Sequence, residues 1–189
     1  MFSNAKNAVY FTKIKKFLHA QKNIKDLQDA IVNAPFIDKL RAVQLDLGIV
    51  VLLLVDEVTG LINRVALSDT ELAKGAVSVS AKSFYDINIP LDDKNNCIAE
   101  AIRTVNFTQT HDWKYLFTPV LTAAEARMNQ AGAAIGCSVV HPIAVSNKRG
   151  ALIFSFFQPP EHINEKHYLF ASRYAKAVTN VLGATTPWL

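Results

Sequence analysis

The chain has 189 residues, half of them hydrophobic, and a formal net charge of +4. That length suits one domain with a sizeable core, and the longest apolar run, residues 49–55, is too short to cross a bilayer. Six Lys and no acid fall within residues 1–25, so the remainder is mildly acidic, which excludes a general nucleic-acid surface.

Residues 1–22 read as an amphipathic helix, with Tyr10, Phe11, Ile14, Phe17 and Leu18 on one side and Lys13, Lys15, Lys16 and Lys22 on the other. Such a helix is expected to pack against the domain (residues 23–183) or a second subunit. Residues 23–34 and 36–45 read as short helices divided by Pro35. The β-branched and Leu run 49–55 predicts a strand covered on both faces, followed by a turn over 56–60 and an alternating strand over 61–67. In 68–80 the pattern is mixed: 70–74 fits a helical turn and 77–79 an extended piece. Residues 84–90 (FYDINIP) alternate as a third strand. The Asp and Asn residues of 91–96 can cap a helix over 97–104. A short strand over 106–110, a loop opening at His111, and a helix over 122–130 follow. Residues 133–145 and 151–157 read as a hairpin with its turn at 146–150, because Asn and Gly supply the backbone such a turn needs. Two prolines close the sheet, and Asn164 caps a last helix carrying Phe170, Tyr174, Val178 and Val181. Gly183 and Pro187 stop it ahead of a tail at 184–189.

The order of these pieces resembles a GAF domain, a small α/β sensor module. The match rests on LLLVDEVTGLINRVAL for the first hairpin, an Ile-Pro strand end before the helix at 97, and Val-His-Pro-Ile, a polar turn and Gly-Ala-Leu-Ile-Phe before the closing helix. The resemblance implies an antiparallel sheet of about six strands with helices on both faces. It assigns residues 93–131 to a lid over a small-molecule pocket. It assigns the first and last helices to association, as a homodimer or with a signalling partner. A cytoplasmic sensor without a resident cofactor is the expected function. A ligand-free dimerisation module and a thiol reductase of the free methionine-R-sulfoxide type are the alternatives.

Within the lid, Trp113 and Arg127 are the leading candidates to contact a ligand, with Tyr85, His111 and Tyr115 beside them, since aromatic walls and one cation suit an anionic or planar molecule. No metal is expected: His162 and His167 point about 140° apart on an ideal helix. No phosphate-binding Gly loop or nucleophile elbow is present. Two cysteines, Cys97 and Cys137, offer neither zinc spacing nor a disulfide framework, and such usage suits a reducing compartment. Cys97 stands about where the reductase branch has a cysteine, at a helix N-terminus that would favour its thiolate, but no resolving thiol is evident. Bilin attachment would need a Cys-His pair. The cyclic-nucleotide signature is replaced after the last strand by Gln158-Pro159-Pro160.

Overall fold

A computed structural model describes residues 4–145 and 148–184, with the backbone alone for 4–7. The order is α1 (Asn4–His19), α2 (Ile24–Asn33), α3 (Lys39–Gln44), β1 (Leu47–Asp56), β2 (Leu61–Leu67), α4 (Glu71–Ser78), β3 (Ile89–Pro90), α5 (Cys97–Thr104), β4 (Thr108–Thr110), α6 (Lys114–Phe117), α7 (Ala123–Gly132), β5 (Cys137–Val145), β6 (Lys148–Phe156) and α8 (Glu165–Ala184). The six strands form one sheet in the order β3-β2-β1-β6-β5-β4, and every pair is antiparallel.

Strand alternation divides the interior into two cores. Val50, Leu52, Leu152, Phe154 and Phe156 face α1, α2 and α8. Ile49, Val51, Leu53, Ala151 and Ile153 face the layer of α4–α7. The unbroken apolar run of β1 follows from this, because both of its faces are covered. From α1, Tyr10, Ile14 and Leu18 enter the first core, and Tyr10 and Phe11 meet the ring of Phe170. Phe17, expected in the same stripe, is instead turned out and 39% exposed. Among the described residues, no helix is long and apolar enough to cross a membrane.

Local chemistry sets the helix ends. Asn23 accepts from the Asp26 N–H, Thr70 from Ala73, and Thr122 and Glu125 form a reciprocal capping box. Asn164 accepts from the Lys166 N–H while the His167 ring nitrogen accepts from the Asn164 N–H, so a histidine fills the place that Glu usually holds in such a box. In the first hairpin, the Asp56 carboxylate takes the N–H groups of Val58 and Thr59, and Gly60 supplies the positive φ of 69°.

Several expectations are corrected. Residues 71–78 form a full helix, so no extended piece starts at Val77. Of the strand expected over 84–90 only Ile89 and Pro90 pair, while Phe84–Asp86 is a 3-10 turn. A further helix, α6, occupies what read as loop. Residues 133–136 are the exit from α7, with Ala133 as its C-cap, and β5 begins at Cys137. Gly150 is not a turn residue but lies in β6, where a Cβ would come within 2.2 Å of the Leu53 carbonyl. The turn itself, at 146–147, and the tail with Pro187 lie outside the described residues.

Candidate functional site

Between the sheet and the α4–α7 layer lies a cavity of about 40 Å³, roughly the room of three waters. Its floor is Ile49 and Val51 of β1, Arg64 and Leu67 of β2, and Ile153 and Ser155 of β6. Its cover is Ala76 and Val77 of α4, Ser80, Phe84, Trp113, Phe117 and Asn129 of α7. A β-bulge shapes the floor: Leu52 pairs with Ala66 and Leu53 with Arg64, so Val65 is the extra residue. That insertion turns both Arg64 and Leu67 toward the cavity.

The cover is held closely. A Cβ on Gly75 would lie 2.4 Å from the Gly132 carbonyl, so only glycine lets α4 and α7 approach backbone to backbone. Asn96, buried at the start of α5, accepts from the N–H groups of Ile98 and Ala99 and donates to the carbonyls of Leu116 and Thr118. One side chain therefore caps α5 and fixes the end of α6, from which Phe117 reaches the cavity.

Arg64 is the cation of this site. It is buried, with its guanidinium 4.1 Å from the Phe117 ring centre and 5.0 Å from that of Phe84. Burial pulls it down to about 9, and at neutral pH it remains charged. Nearby, the Trp113 indole donates to the Ser138 hydroxyl at 2.9 Å, and Ser138 and Ser155 share a hydrogen bond of 2.8 Å. The Asn129 amide donates to the Ser80 hydroxyl at 3.0 Å, while its own carbonyl oxygen is buried without a donor among the described residues.

Of the residues singled out in the sequence, Trp113 lines the cavity and is 5% exposed. The other four do not line it. Arg127 sits on the outer surface, bidentate to Asp112 with a shortest distance of 2.7 Å. Desolvation raises the Asp112 carboxyl, but Arg127 and the Lys114 N–H outweigh it and hold the group below its usual range. Tyr85 is exposed and edge-on to Phe84. Tyr115 is exposed under the Lys114 ammonium. His111 is exposed, and its backbone carbonyl accepts from Gln130. Arg127, Tyr85, His111 and Tyr115 thus do not line the cavity.

Sequence reasoning missed Arg64, Phe84, Phe117, Asn129 and Ser80. Arg64 carried one signal, a charge inside an apolar strand that packs on both sides.

The cysteines lie on opposite faces of the sheet. Cys137 belongs to the α8 side, Cys97 packs against the α4–α7 side, and neither lines the cavity. Burial raises both thiols, Cys137 to about 11. Among the described residues, no group of three or more His, Cys, Asp and Glu is placed to hold a metal ion.

No family model matches the chain, and no curated protein matches it in sequence. Solved structures match its fold. The GAF domain from Acinetobacter phosphoenolpyruvate-protein phosphotransferase superposes with a TM-score of 0.64 at 13% identity, covering 96% of this chain and 94% of that one. The GAF domain of the Coxiella burnetii phosphoenolpyruvate-protein phosphotransferase gives 0.62 at 16%, covering 96% of each chain. Free methionine-R-sulfoxide reductase from Neisseria meningitidis, solved with its substrate, gives 0.60 at 13%, covering 96% and 92%. The chain has the fold of a GAF domain. Sensor domains and reductases share this fold, so the fold alone does not choose between them.

Proposed function

We propose that this domain is a regulatory module that binds a small molecule in the cavity between the sheet and the α4–α7 layer. The observation that carries the reading is a buried site lined by aromatic walls in which polar groups remain unmatched. Buried polar atoms are nearly always paired, and one left open in a cavity is a place for a ligand. Trp113 is the lid residue we assign to it. Binding would signal through the α1 and α8 face, as a homodimer or against a partner protein. The thiol-reductase alternative has less support, since no thiol lines the cavity and the two cysteines lie across the sheet from one another.

Native mass spectrometry of protein purified from its own host tests this. A retained non-covalent mass, absent from a cavity-filling Ala76→Phe variant that still folds, supports the reading. A ligand at a hundredfold excess over its dissociation constant should also stabilise the fold by about 2.7 kcal/mol. A bare mass for the wild type, with a raised Tm in Ala76→Phe, would favour the ligand-free dimerisation module instead.

A further inference from the structure

Among the described residues, no acid or hydrogen-bond acceptor answers the positive charge in the cavity. Arg64 is the one ionisable residue among those lining it, and it is 8% exposed. None of its five N–H groups finds an acceptor among the described residues, and its Nε is fully enclosed. The rings of Phe84 and Phe117 attract the cation through their faces but accept no hydrogen bonds in its plane. Removing a charge from water without a partner is costly. Packing alone gives no reason for Arg, because methionine would fill the space without that cost.

The rest of the lining adds the polar side chains of Ser80, Asn129 and Ser155. Ser138 accepts from the Trp113 indole, and its own proton has Ser155 as its one acceptor among the described residues. Either hydroxyl can donate in that bond; with Ser138 as the donor, the Ser155 proton is left for the cavity, whose wall it forms. Asn129 offers the opposite need, a buried carbonyl oxygen without a donor among the described residues.

Taking the small-molecule reading above as given, we propose that the ligand is a small organic monocarboxylate held by Arg64. Its carboxylate neutralises the guanidinium, its apolar body lies against Trp113, Phe117 and Ile153, and an O–H or N–H on it meets Asn129. One cation calls for one negative charge, which disfavours a phosphate dianion. With room for about three waters and one side partly open, the cavity suits a very small acid, on the order of two carbons.

The test titrates the protein with acetate, propionate, glycolate and lactate, with the matching amides, and with nitrate and phosphate. Readouts are Tm and the fluorescence of Trp113, which is the sole tryptophan in a Trp188→Phe background. At least one acid should bind saturably, and its amide at least tenfold more weakly. Binding should vanish in Arg64→Met, whose unliganded Tm should equal or exceed that of the wild type. Equal binding of acid and amide, or undiminished binding in Arg64→Met, overturns the carboxylate assignment while leaving a small-molecule domain intact. Binding of nitrate or phosphate alone also overturns it. No binding by any probe, with a lower Tm in Arg64→Met, would make Arg64 a packing element and overturn it. Should Arg64→Met not fold, the Nε–Hε resonance of Arg64 in the wild type decides: it must shift with the acid and stay put with the amide, and any other pattern overturns the assignment.

Discussion

The hydroxyl of Tyr174 donates to the carbonyl of Ile31 at 2.6 Å, deep in the core between α8 and α2. Four residues after Ile31 stands Pro35, which has no N–H to give that carbonyl. Tyr174 therefore supplies the hydrogen that the helix cannot. Replacing it with Phe keeps the ring contacts with Phe154 and Phe170 but leaves a buried carbonyl unmatched. Tyr174→Phe should cost about 1–3 kcal/mol by urea unfolding. An unchanged midpoint would show that the carbonyl finds another donor.

Asn96 makes a sharper case because its two ends do different work. Asn96→Ala removes both the α5 cap and the two bonds to α6, and should cost about 2–4 kcal/mol. Asn96→Asp keeps the cap but turns an acceptor toward the Leu116 and Thr118 carbonyls. It should loosen α6 specifically, seen as faster amide exchange over 114–118 with α5 still protected. Equal loss in both helices would contradict this division.

Stability should fall as the solution becomes acidic. Burial, with the Lys166 charge adding to it, holds the His167 imidazole below its ordinary 6.5 against the opposing pull of the Asn164 N–H and Asp46, and burial does the same to His141. In the window between the lowered folded value and 6.5, the unfolded chain takes up protons that the folded one refuses. Stability is therefore steady above about pH 7 and declines as pH drops through that window. His167→Gln retains an acceptor for the Asn164 N–H and cannot titrate. Its Tm should fall less steeply between pH 7 and 5 than the wild type's. Parallel curves would remove His167 from the account.

The thiols should be quiet. With Cys137 pushed up to about 11 and Cys97 also raised, first by burial and then by Glu100, little thiolate exists at neutral pH. Alkylation at pH 7.5 should be slow, with half-buried Cys97 ahead of buried Cys137. No intramolecular disulfide should form, and free methionine-R-sulfoxide should not be turned over. Dithiothreitol-dependent turnover that disappears in Cys97→Ser would restore the reductase alternative.

The sequence disclosed most of the architecture because its signals are strong and local. Period-four apolar spacing marked α1 and α8, and Asn96 and Thr122 marked helix starts. Phe84 misled because its alternating neighbours resemble a strand, whereas its ring is spent covering the Arg64 guanidinium and only Ile89 and Pro90 remain to pair. Arg127 misled for a related reason. A cation near aromatics in one stretch of chain suggests a cage, but Asp112, close by in the fold, draws it outward. Arg64 stayed hidden because its inward direction depends on the bulge at Val65, and the alternation of β2 alone does not locate that bulge. A site assembled from β1, β2, β6, α4 and α7 leaves no contiguous trace.

The sheet is a single layer one residue thick. Ile49 and Val51 touch the cavity, while Val50 and Leu52, alternating with them on the same strand, support the α1, α2 and α8 side. Ile153 and Ser155 likewise alternate with Leu152, Phe154 and Phe156 on β6. Any splaying of these two strands by an occupant is thus also a change in the seat of the terminal helix. On the proposed reading nothing needs to be relayed from one end of the molecule to the other, because the backbone that floors the cavity also seats α8.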